Sequence, residues 1–136
     1  MSTKDPVRYT VGGREYVTIP LTGRDSIRLD QLVTPIIFGF GKLTKKASSF
    51  DLAFMLCQKL SELPEETFDT IRKLTFKGTM FAGNDKEKSI SLDTEQCFEH
   101  FQGRLIDMYE VMEHAWEAHQ LTPFRMMAGS STGETA

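Results

Sequence analysis

The chain has 136 residues, enough for one domain that buries roughly two-thirds of its unfolded surface. Hydrophobic residues make up 40% and charged residues 26%, a globular balance that excludes a disordered or fibrous chain. The net charge of -3 excludes a global attraction to DNA, RNA or anionic lipid. The first residues, Met1 to Pro6, lack the apolar run of a signal peptide. The longest apolar run, Ile36-Ile37-Phe38, is too short to cross a bilayer. A soluble, cytoplasmic protein with no membrane partner is expected.

Residues 1–125 read as a single globular domain of mainly α (α+β) class. It has about four helices, an N-terminal β-hairpin and a long C-terminal amphipathic helix. Val7 to Ile19 form the hairpin, with Gly12-Gly13 supplying the positive φ angles of a two-residue turn. That turn places Tyr9 opposite Tyr16. A first helix starts at Thr22, the expected cap, with Asp25 in its first turn and Ile27, Leu32 and Ile36 or Ile37 on its buried face. Pro35 should kink or end it. Gly39, Gly41 and the polar run Lys42 to Ser49 mark a loop.

A second helix begins near Ser48 or Ser49, with Phe50, Phe54, Cys57 and Leu60 at helical spacing. Leu63-Pro64-Glu65-Glu66 ends it and opens a third, on which Phe68, Ile71 and Leu74 repeat. Thr75 to Leu92 reads as a second short hairpin around a charged turn, or Thr75 to Phe81 extends the third helix. The last helix runs from Asp93 or Thr94 to about Gln120. On it Phe98, Phe101, Leu105, Met108 or Tyr109, Met112 and Trp116 keep a helical rhythm. Gly103 costs about 1 kcal/mol inside a helix, so it is expected to let another backbone approach closely. Residues 126–136 read as a flexible polar tail.

No set of residues makes a catalytic, metal or cofactor site. Cys57 and Cys97 define neither a disulfide framework nor a metal spacing. On one continuous helix His114 and His119 lie about 140° apart, and His100 and His114 lie roughly 21 Å apart along the axis. Neither pair shares a ligand. Acidic pairs such as Glu65 and Glu66 read as solvated helix faces. Gly39 to Thr44 lacks the spacing of a phosphate loop. Lys42, Lys45 and Lys46, joined by Arg72, Lys73 and Lys77, form the best basic cluster. A small regulatory or nucleic-acid-binding module using the Lys42–Lys46 loop is the alternative reading; the aromatics at core spacing favour a charged, soluble loop and no nucleic-acid partner. Phe124, Met126 and Met127 either fold back as a staple on the last helix or form a docking segment.

The run Cys97-Phe98-Glu99-His100-Phe101-Gln102-Gly103-Arg104-Leu105 is similar to the Phe-x-x-His-Phe-x-Gly-Arg-Leu opening of a long C-terminal helix in phage tail assembly chaperones. The hairpin, the Gly23 to Leu29 helix start and Leu63-Pro64-Glu65-Glu66 match that family in outline. After the last helix the chain departs from it: His119 to Phe124 replaces the expected Asn-Phe and second aromatic. The resemblance implies a non-enzymatic protein of the bacterial host cytoplasm. Such a protein coats the tape measure protein, gives way to tail tube subunits, and forms a weak homo-oligomer. The broad stripe of the last helix would bury one side and offer the other to a neighbour. Phe101, Gly103, Arg104, Trp116, Phe124, Met126 and Met127 are the expected partner or self-association residues.

Overall fold

The computed structural model describes residues 5–39 and 49–126. The Lys42–Lys46 loop, the Phe50 side chain, Met127 and the polar tail lie outside the described residues. Strands β1 (Val7–Val11) and β2 (Arg14–Thr18) form the hairpin, and Gly12 and Gly13 turn it at φ 59° and 78°. Tyr9 pairs with Tyr16, as the two-residue turn requires. Helices α1 (Gly23–Phe38), α2 (Ser49–Ser61) and α3 (Glu65–Thr75) follow. Strands β3 (Thr79–Phe81) and β4 (Ile90–Ser91) decide between the two readings of that stretch in favour of a hairpin. Helices α4 (Gln96–His100) and α5 (Leu105–Ala118) come next, and residues 122–126 form a last helical turn. The class is α+β as expected, with more and shorter helices than the pattern suggested.

All four strands join one antiparallel meander in the order β1-β2-β3-β4. Tyr16 faces Phe81 and Thr18 faces Thr79 across β2 and β3, and these side chains are buried. The neighbours Val17 and Met80 point the other way and stay in partial contact with water. The sheet is therefore one-sided. Its buried face lies under α5, which packs on the other side against α2. Helix α3 packs against both α1 and α5. A chain of hydroxyls crosses the sheet from Tyr9 through Thr18 (2.7 Å) to Thr79 (2.8 Å), so these polar groups are paired where they are buried.

Several helix faces differ from expectation. On α1 the buried face is Leu29, Val33 and Ile37, whereas Ile27 is 63% exposed. Thr22 makes no side-chain cap, and Pro35 lies within the helix, which stops one turn later at Phe38. On α2 the core takes Leu52, Ala53, Leu56 and Leu60, and Phe54 turns outward. On α3 the inward face runs Phe68, Ile71, Arg72 and Thr75, so two polar residues occupy core positions.

The largest difference lies in the last helix. It is two helices, broken at residues 101–104, with Gly103 at φ 75°. Gly103 is outside any helix, and nothing stands within 4 Å of where a Cβ would sit. It is a left-handed turn residue, not a point of close backbone approach. Phe98 and Leu105, placed on the buried stripe by continuous spacing, are 42% and 51% exposed because the break re-aims both helices. The expected free side of the long helix also disappears, since Met108, Tyr109, Val111, Met112, Ala115 and Trp116 are all buried between the sheet and α2.

The sign of one substitution separates the broken helix from a continuous one. Gly103→Ala should lower stability by about 1–2 kcal/mol, because a left-handed φ crowds a Cβ against its own carbonyl. In a continuous helix the same change would raise stability by about 1 kcal/mol. Urea unfolding of the two proteins reads the difference directly.

Candidate functional site

The Phe98 to Leu105 segment is built around Tyr16, which is fully buried. Its hydroxyl hydrogen-bonds His100 Nε2 at 2.9 Å, and its ring stacks on Phe101 at 6.1 Å. Phe81 closes the cluster, 4.7 Å from the His100 ring. Arg104 starts α5, donates to the His100 carbonyl and pairs with Asp107 at 3.4 Å. Its guanidinium also lies 5.4 Å from the centre of the Phe101 ring. His100 and Arg104 thus each have a structural partner. The histidine and phenylalanine lock α4 onto the sheet, the glycine reverses the chain, and the arginine ties off both helix ends.

A polar cleft of ≈ 390 Å³ does lie beside this segment, lined by Arg14, Glu87, Gln96, Glu99, His100 and Arg104 among others. Burial, together with the positive charges of Arg104 and Arg14, pushes the His100 pKa down to about 4. The ring is therefore neutral at pH 7, and its Nε2 is engaged by a tyrosine that water does not reach. Glu87 pairs with Arg14, and among the described residues no serine, cysteine, threonine or lysine lines the cleft. Among the described residues no group of three or more His, Cys, Asp or Glu is placed to hold a metal ion. The other two histidines are structural as well. His114 stacks on Tyr9 at 4.7 Å. His119 accepts from the Leu21 amide through Nδ1 and donates to the Thr75 carbonyl through Nε2, at 3.0 and 2.8 Å. Burial pushes the Cys97 thiol up to about 11, which suppresses the thiolate form.

The expected contact residues divide sharply. Phe101, Trp116 and Phe124 are in the core, with Trp116 fully buried and its Nε1 donating to Thr75 Oγ1 at 2.7 Å. Phe124 is the staple, tilted against Trp116 at 6.4 Å. Gly103, Arg104 and Met126 reach the surface, and Met126 is 57% exposed. Phe124 thus takes the staple position, and Met126 is left exposed.

Sequence patterning missed Arg72. It was grouped with the surface lysines, yet its side chain is fully buried. Nε and Nη2 donate to Asp69 at 3.1 and 2.9 Å, and Nη1 donates to the Leu92 and Thr94 carbonyls, both at 3.1 Å. Its guanidinium lies 4.5 Å from the Phe98 ring centre. Lys73 pairs with Asp69 and Lys77 with Asp25, so the basic cluster loses all three of its α3-side members to local partners. The signal was present: Phe68, Ile71, Arg72 and Thr75 follow the i, i+3, i+4, i+7 rule with two polar residues included.

Among the described residues two apolar grooves face solvent. On the outer side of α1, Ile27 and Phe38 lie about 20° apart around the helix and are both more than half exposed. Ile27, Gln31, Thr34 and Pro35 line a groove there with Thr122. Asp30 holds that edge together by accepting from the Thr122 amide and hydroxyl at 3.1 and 2.9 Å. The second surface lies between α3 and α4, where Phe68 and Phe98 sit among Glu65, Glu66, Asp69 and Glu95.

A compact α+β domain whose polar motif residues all serve packing, and whose open surfaces are apolar grooves, has the character of a binding protein. Residues 12–124 match the family model of phage tail assembly chaperone proteins (TAC). The match covers more than four-fifths of the chain, and the protein belongs to that family. Comparison with curated proteins gives no significant match. Comparison with solved structures gives none either. No helix among the described residues is long and apolar enough to cross a membrane.

Two measurements test this arrangement. Arg72→Ala should cost about 3–5 kcal/mol in urea unfolding, since it strands two carbonyls and an aspartate, and Arg72→Lys should recover only part of the loss. His100 sets a pH window. Its folded pKa is below the unfolded value of about 6.5, so the unfolded chain binds more protons between pH 6.5 and 4. Stability from this group is present above about pH 6.5 and is lost as pH falls toward 4. The loss should be about 2 kcal/mol once solvent at the ring edge is allowed for. His100→Gln should flatten that part of the profile.

Proposed function

We propose that this chain coats and solubilises the tape measure protein during tail assembly in the bacterial host cytoplasm, self-associates weakly, and yields to tail tube subunits. The observation that carries the reading is family membership combined with the uncovered α1 face. Ile27, Pro35 and Phe38 form an exposed apolar strip on α1, and Thr122, which opens the last helical turn, lines the groove beside Ile27 and Pro35. A coat for a long helical protein needs this kind of surface: shallow apolar grooves that accept a helix face without enclosing it. Among the described residues Gly103, Arg104 and Met126 are the surface members of the proposed contact set, which Met127 joins on sequence alone, and Phe101, Trp116 and Phe124 lie buried. The strip is modest, and weak binding suits a protein that must later leave.

Co-expression provides the test. The tape measure protein encoded beside this chain should sediment when made alone and remain soluble, co-eluting, when made with it. A tape measure protein that still sediments would sink the coating role. Light scattering across a concentration series should give a mass that rises above the monomer. A constant monomer mass would remove self-association.

A further inference from the structure

The groove between α3 and α4 has a chemistry that the coating role leaves unspecified. Its floor carries two aromatic rings, Phe68 half-buried and Phe98 42% exposed, in a space of ≈ 430 Å³. Its rim carries four carboxylates: Glu65 and Glu66 from the first turn of α3, Asp69 one turn on, and Glu95 from the start of α4. The cations nearby are already committed. Arg72 lies enclosed beneath Phe98 and binds Asp69, with Glu95 at 3.7 Å, and Lys73 also binds Asp69. Glu65 and Glu66 have no ion pair among the described residues.

Complementing the α3 dipole accounts for acids in the first turn. It does not account for two aromatic side chains left open between them and a further acid from a different helix. An apolar floor inside a net negative rim selects its ligand on two counts. Nucleic acid, anionic lipid and acidic peptides are repelled. A purely apolar helix would bury the rim carboxylates without partners, which is costly.

We infer that this groove binds a basic amphipathic helical segment of a partner protein, seating one or two aliphatic side chains on Phe68 and Phe98 with lysine or arginine one turn to either side against Glu65, Glu66 and Glu95. The inference rests on the coating role, in which the partner is a long helical chain, and gives that chain's docking segments their composition. The rim pairs stay at the water boundary, so they steer and select more than they hold, and the contact is sensitive to salt.

The test uses the full chain and a labelled helical peptide of about 20 residues, with leucines on one stripe and lysines flanking it. A matched peptide carries glutamate for lysine. The lysine peptide should bind, weakening about tenfold between about 50 and 300 mM salt. A Glu66→Gln/Glu95→Gln variant, which changes only exposed carboxylates, should bind it at least about fivefold more weakly, while its unfolding midpoint falls only slightly because Glu95 meets Arg72 at the water boundary. The glutamate peptide should not bind. Equal binding of both peptides, or a double variant that binds like the parent, overturns the assignment. Salt-sensitive self-association that the double variant loses, with no binding of the lysine peptide, also overturns it and gives the groove to a second copy. Loss of the groove is separable from loss of the coating role. Parent and double variant that solubilise the tape measure protein equally well remove the groove and leave coating intact. A parent that binds the lysine peptide through the rim but leaves that protein insoluble supports the groove and removes coating.

Discussion

A guanidinium withdrawn from water must find its hydrogen bonds inside the protein, and Arg72 finds them on two separate pieces of chain and meets an aromatic ring on a third. Asp69 lies one turn back on its own helix, the Leu92 and Thr94 carbonyls follow β4, and Phe98 belongs to α4. Leaving such a charge unpaired costs several kcal/mol, so the position of α3 against the β4–α4 connection is not free to drift. The docking groove inherits its shape from this. Phe98 stays at the surface because the guanidinium beneath it occupies the place where the ring would otherwise sink. Asp69 shows the same balance. Burial would raise its pKa, but the hydrogen bonds and charges of Arg72 and Lys73 together hold it below the ordinary value.

Two further polar ties fix the remaining elements. Thr75, at the end of α3, accepts from Trp116 through its hydroxyl and from His119 through its carbonyl, while His119 also receives the Leu21 amide. Tyr16 reaches His100 across the sheet edge. The polar side chains that invite a catalytic interpretation are thus hydrogen-bonding partners in a small core. That suits a family whose task is assembly: the interior fixes one shape, and the exterior is left to make contacts. The Phe98 to Leu105 segment gains a physical reading as a helix break. His100 and Phe101 anchor one side of it, Gly103 makes the turn, and Arg104 anchors the other.

The hairpin was legible to the residue because a Gly-Gly turn permits only one register for Tyr9 and Tyr16. The α3 start was legible from a Pro-Glu-Glu sequence, whereas the charged turn after Gly83 left a hairpin and a longer α3 equally open until β3 and β4 decided between them. Faces of α1 and α2 were not, since both helices carry apolar residues around most of their circumference and the choice among them is made by neighbours. The break at Gly103 escaped because everything from Asp93 to Gln120 is locally helix-compatible. What interrupts it is tertiary: His100 and Phe101 must point at Tyr16 while α5 lies between the sheet and α2. Arg72 escaped because a charged residue on a core face is usually discounted. The burial of Phe101 and Trp116, both candidates for a partner contact, was hidden for a related reason. A helix apolar on two sides reads the same whether its second side meets a partner or, as for α5, another helix of the same domain.

The hydrogen bond from the Leu21 amide to His119 joins residues 98 positions apart, and Tyr16 meets His100 across 84. Both fasten the first strands and the start of α1 to the end of the chain. A ribosome delivers those two ends far apart in time. Until α5 has emerged, the hairpin has no cover on its apolar face, and a lone hairpin is barely stable in water. Closure must therefore wait for nearly the whole domain to be made, and non-local pairings of this kind slow folding. A member of an assembly-chaperone family thus passes through a stage in which its own apolar surface is exposed.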